Sequence, residues 1–132
     1  MYEKQIEIRW RDQDPYGHVN NAVYLTYLEE VRDEWLERTL GSDGELWDFV
    51  IARVAIDFRR ELTQDHGSVR ARCELEGIGT SSIRTREMLQ TENGELAAEA
   101  EAVLVARDRE SGSSRPLSDD ERAAFEREAA LA

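Results

Sequence analysis

With 132 residues, the chain is long enough for one domain over 1–132, burying about two thirds of its unfolded surface. Asp and Glu number 29 against 17 Lys and Arg, a net charge of −12, and Lys4 is the only lysine; such a surface repels phosphate backbones and argues against nucleic acid as a partner. The single cysteine, Cys73, excludes an internal disulfide, and with no apolar run of about eighteen residues there is no membrane-spanning helix to expect.

The start, MYEKQIEIRW, lacks the apolar core of a signal peptide, so the expected location is cytoplasmic. Ile6, Ile8 and Trp10 alternate with Glu7 and Arg9, which predicts a half-buried strand over 4–11. Pro15 and Gly17 then break the chain. Beyond them Tyr24, Tyr27, Leu28, Val31 and Trp35 fall at helical spacing. Asn20 or Asn21 suits the N-cap, Arg38 the last turn and Gly41 the end. Twenty residues of helix span about 30 Å, the width of a small domain.

After the loop GSDGE, Val50, Ala52, Val54, Ile56 and Phe58 predict one face of a second strand, and Val69, Ala71, Cys73 and Leu75 alternate cleanly with charges in a third. Residues 81–91 predict a fourth strand with weaker alternation. Asn93-Gly94 suits a tight hairpin turn into a fifth strand near 95–107. That last strand carries Ala98, Ala100, Ala102 and Leu104 on one face, small enough to let the central helix approach closely. Ser118 and Glu121 have capping-box spacing before an alanine-rich terminal helix. The sum is α+β: an antiparallel sheet of five or more strands wrapped around one long central helix, the one element able to cover it.

Asp12, Asp14 and His18 form the compact acid/base group of the sequence. A carboxylate can activate water or attack a carbonyl directly, and the N-terminus of a helix can hold the oxyanion that results. Asp14 precedes Asn21 by one short loop, so it can be placed against the first turn of the helix. Read purely structurally, Asp14 and Asn20 are turn and cap residues. The same trio could ligate a cation, but no second histidine is near, since His66 sits in a turn between strands; no metal site is expected. Neither a G-x-S-x-G elbow nor a glycine-rich phosphate loop occurs.

The run WRDQDPYGHVNNAVYLTYLEEVR resembles the opening of the hotdog-fold thioesterases, most of all the 4-hydroxybenzoyl-CoA thioesterase-like acyl-CoA thioesterases. Its H-V-N-N segment is also similar to that of plant acyl-ACP thioesterases. Weaker likeness continues through IDFRREL, DHGSV, GIGTSSI and NGELAAEA. The resemblance implies a hotdog fold, hydrolysis of acyl-CoA or acyl-ACP thioesters without a cofactor, and a homodimer or homotetramer with sites at the shared interface. It implies Asp14 as general base or nucleophile, the Asn21 backbone amide as donor to the thioester oxygen, His18 as an aid in orienting water or carbonyl, and Asn20 as the cap beside it.

Two departures qualify the likeness. Tyr16 stands where the plant enzymes have a catalytic asparagine, and the basic cluster that grips the nucleotide in the 4-hydroxybenzoyl-CoA enzyme is missing near Ile78, Gly79 and Thr80. Tyr16 is then a substrate-binding candidate, and Arg59, Arg60, Arg84 and Arg86 are candidates for the phosphates. Trp47 and Phe49 are candidates for an acyl pocket, with core packing as the plainer alternative. Two other functions remain open: a hotdog hydratase or dehydratase of enoyl or hydroxyacyl thioesters, and a non-catalytic acyl-thioester-binding module.

Overall fold

The computed structural model describes residues 1–41 and 48–131. Its strands are β1 (Tyr2–Glu7), β2 (Phe49–Phe58), β3 (Ser68–Ile78), β4 (Ser82–Thr91) and β5 (Leu96–Ala106), and its helices are α1 (Asn21–Leu40) and α2 (Asp119–Ala130). The five strands form one sheet in the order β1-β3-β4-β5-β2, every pairing antiparallel. β2 is therefore an edge strand, although it follows α1 directly in the chain.

The helix forms where its apolar spacing requires. Asn20 is the N-cap, its side chain accepting from the Ala22 amide, and Gly41 ends the helix at a φ of 57°. All five residues of the predicted stripe are buried, joined by Leu36 and Leu40. The helix approaches β3 and β4 most closely, with β1 and α2 beside it. The alanines of β5 are buried in the same core but do not mark its line of closest approach. At the far end Phe125 of α2 stacks on Trp35 at 6.2 Å and meets Phe49 edge-on at 5.9 Å. The capping box of Ser118 and Glu121 starts α2 as its spacing predicts.

Two sequence expectations are corrected. The first strand stops at Glu7; Trp10–Asp12 is a 3-10 turn, and Trp10 points to solvent, 76% exposed. The cause is Asp12, whose carboxylate is buried and accepts from the Arg9 amide (2.9 Å), the Arg9 guanidinium (3.0 Å) and the Tyr27 hydroxyl (2.7 Å). In β2 the predicted face is broken by a bulge between Ile51 and Arg53. Ile51 pairs with Leu104 and Val54 with Ala102, so Val50 and Ala52 do not continue the Val54 face. In β4 the weak alternation has a buried origin: Thr85 and Glu87 face inward. Glu87 accepts both nitrogens of Arg32 at 2.8 Å and the Thr85 hydroxyl at 2.6 Å.

Candidate active site

The loop before α1 is built by Asp14. Its carbonyl accepts from the Gly17 amide (3.0 Å), closing a turn over Pro15 and Tyr16, and Gly17 takes a φ of 82° that a Cβ would disfavour. One carboxylate oxygen, Oδ1, accepts from the amides of Tyr16 (2.9 Å) and His18 (3.2 Å). The loop closes as a small ladder, the Asp14 amide donating to the His18 carbonyl at 2.7 Å and Gln13 bridging Val19. Asp14 thus has one oxygen fixed by its own loop, while Oδ2 accepts from no group among the described residues.

The segment after β2 is tied to the same place. The Val19 amide donates to the Leu62 carbonyl at 2.7 Å, and the buried Tyr24 hydroxyl donates to the Arg60 carbonyl at 2.8 Å. His18 Nε2 then lies 3.2 Å from Glu61 Oε2. Asp14, His18, Val19, Asn21, Tyr24, Phe58, Arg59, Arg60 and Glu61 together line an open cleft of about 420 Å³. At its wall the first turn of α1 offers a donor. Asn20 uses its side chain on the Ala22 amide and its carbonyl on the Val23 amide, while no described residue accepts from the Asn21 amide. A helix N-terminus with a spare N–H favours a developing negative charge.

A larger hollow of about 720 Å³ runs along the outer face of α1 between Lys4, Glu30, Asp33, Glu34, Glu37, Arg38 and Gly41. It is lined by charged side chains, several already paired (Lys4 with Glu34 at 2.6 Å), and among the described residues it has no spare backbone donor beside a loop carboxylate. The smaller cleft is the one that brings Asp14, His18 and Asn21 together.

Residues 8–125 match the family model of the thioesterase-like superfamily. The chain belongs to that superfamily. This thioesterase is 33% identical to a Thermus thermophilus thioesterase solved with coenzyme A and zinc, the match covering 96% of this chain and 92% of that one at a TM-score of 0.85. Over 64 residues, 44% of this chain and 46% of the relative, it is 41% identical to the long-chain acyl-CoA thioesterase FadM of Escherichia coli. The uncharacterized Bacillus subtilis protein YsmA is 24% identical over 119 residues, 89% of this chain and 80% of that one. The five-stranded antiparallel sheet around α1 is the hotdog fold, and the chain is a thioester hydrolase of that fold.

Of the residues singled out in the sequence of this thioesterase, Asp14, His18, Asn21, Arg59 and Arg60 share the cleft. Asn20 stands behind it as the cap, and the Tyr16 ring, 84% exposed, lies at the loop tip outside the lining. Arg59 and Arg60 are already engaged: Arg59 with Glu99 at 2.8 Å and Asp57 at 3.6 Å, Arg60 with Glu95 at 2.9 Å. Arg84 and Arg86 are exposed on β4 and do not line this cleft; the Arg84 guanidinium lies over Gly77, and Arg86 shares a neighbouring hollow with Asp57 and Glu99. Phe49, the first residue of β2, is 7% exposed and packed on Phe125 as a core residue, and Trp47 lies outside the described residues. Among the described residues no group of three or more His, Cys, Asp or Glu side chains converges to hold a metal. Four cleft residues were not singled out by the sequence: Val19, Glu61, Tyr24 as a hydrogen-bond donor, and Phe58. The FRRE run holds two of them, but nothing local says that residues 58–61 return to the tip of α1.

Proposed function

We propose that this chain hydrolyses acyl-CoA thioesters to a free carboxylic acid and the CoA thiol. The observation that carries the reading is the pairing, in one cleft, of an Asp14 oxygen with no partner among the described residues and an uncommitted amide at Asn21. Asp14 Oδ2 supplies the attack, either by taking a proton from water whose oxygen adds to the carbonyl, or by adding itself and being released by water in a second step. The carbonyl oxygen, gaining negative charge, accepts from the Asn21 N–H at the positive end of α1. Collapse expels the thiolate, which leaves as the thiol once protonated. His18, its ring steadied by Glu61, orients the water or the carbonyl. Tyr16, exposed at the loop tip, meets the carrier arm.

Acyl-CoA is favoured over an acyl carrier protein by the relatives: one was solved with coenzyme A and another is named for long-chain acyl-CoA. Two copies are proposed to pair through the free edge of β2, where Val50 and Ile51 stand 37% and 43% exposed, which brings two clefts to one junction.

The test is thiol release from an acyl-CoA panel by wild type and Asp14→Asn. The variant is expected to fold and to bind substrate while losing hydrolysis by at least about a thousandfold. Wild-type turnover by Asp14→Asn would remove Asp14 from the mechanism.

A further inference from the structure

We infer that Phe58 sets the acyl-group preference of the cleft by contacting the hydrocarbon next to the thioester carbonyl, an inference that rests on the hydrolase reading above. Val19, Tyr24 and Phe58 are the apolar and aromatic residues of the lining. Val19 and Tyr24 are only 3% and 2% exposed, whereas Phe58 is 44% exposed. Among the described residues of the lining, Phe58 is therefore the apolar side chain that a ligand can reach. The rest of the wall is Asp14, His18, Asn21, Arg59, Arg60 and Glu61, on which a hydrocarbon chain gains nothing.

The Phe58 ring is also held in place. Tyr24 meets it edge-on, with centroids 5.3 Å apart and planes at 68°. The Tyr24 hydroxyl is itself fixed on the Arg60 carbonyl at 2.8 Å. Tyr24 belongs to the same first turn of α1 as the Asn21 amide. The ring bracing Phe58 and the donor proposed for the carbonyl oxygen thus leave one rigid piece of helix. An acyl group whose oxygen sits on that amide meets Phe58 within its first few carbons. Each methylene laid against the ring is worth roughly three- to fourfold in binding.

The experiment compares kcat/KM for octanoyl-CoA and acetyl-CoA in wild type, Phe58→Ala, Phe58→Leu and Asp14→Asn. The octanoyl-to-acetyl ratio is expected to fall roughly tenfold in Phe58→Ala, mostly through KM, and to fall less in Phe58→Leu. Leucine keeps an apolar side chain on the edge strand, so the role is still read if alanine impairs folding or assembly. A ratio unmoved in both variants, with the two substrates falling together or not at all, overturns the role of Phe58. If Asp14→Asn keeps full thiol release, the hydrolase reading has failed whatever the ratio does. If Asp14→Asn is inert and the ratio holds, only Phe58 has been misassigned.

Discussion

At position 21 the backbone and the side chain can be separated. Asn21 is the first residue of α1, and proline is at home there because that N–H is not used within the helix. The preceding residue, Asn20, already has φ −60° and ψ 138°, the extended conformation that a following proline requires. Asn21→Pro is therefore expected to melt close to wild type while losing roughly 10²–10³ in kcat, the cost of one oxyanion donor. Asn21→Ala, which keeps the amide, is expected to stay within a few-fold. Steady-state kinetics beside thermal melts distinguish these, and an active proline variant removes the amide from the reaction.

Asp12 makes the opposite case, a carboxylate used for structure. Burial alone pushes its carboxyl up, but the Tyr27 hydroxyl, the Arg9 amide and the Arg9 guanidinium outweigh burial and leave it below the usual carboxylate range. A depressed folded value means that the unfolded chain takes up the proton first as pH falls. Stability from Asp12 is then complete above the ordinary aspartate value of about 3.9 and lost as pH drops through the lower folded value. Melting temperature followed from pH 6 downward should fall below about pH 4, and Asp12→Asn should flatten that fall. Tyr27→Phe should cost about 1–3 kcal/mol at neutral pH by leaving a buried acceptor short of a donor.

Among the elements, α1 and β4 are joined by the Arg32–Glu87 pair, whose side chains are 4% and 0% exposed. A two-point pair this deep is expensive to break singly. Glu87→Leu strands a buried guanidinium and should cost about 3–5 kcal/mol in denaturant unfolding, whereas Arg32→Met with Glu87→Leu should recover most of that loss. A double variant as unstable as the single one would mean that the pair does not act as a unit.

This pair also shows what a sequence can carry. The apolar stripe of α1, the Ser118 capping box and the clean alternation of Val69, Ala71 and Cys73 are local patterns, and each appears in the structure as written. Arg32 and Glu87 are separated by 55 positions, and each has the look of a solvent-facing charge until the helix lies on the sheet. The β2 bulge is equally hidden, because one inserted residue changes which face is buried without changing the composition. The acid/base loop was legible because Asp14, His18 and Asn21 are neighbours in sequence. Its far wall, Phe58 to Glu61, was not, since only the closure of the sheet returns that segment to the helix tip.

For the molecule as a whole, the free edge of β2 makes a prediction about assembly. Ile51→Lys places a charge in the middle of the proposed seam and should convert a dimer into a monomer by sedimentation equilibrium or light scattering. An unchanged mass would place the contact between copies elsewhere.

The Tyr24 hydroxyl on the Arg60 carbonyl, with the Val19 amide on the Leu62 carbonyl, staples the front of α1 to the segment behind the sheet. The proposed base, the proposed donor and the cleft wall at residues 58–61 are then tied together by the fold itself, before any ligand arrives. On the proposed mechanism, docking then uses little of its energy on building this part of the cleft.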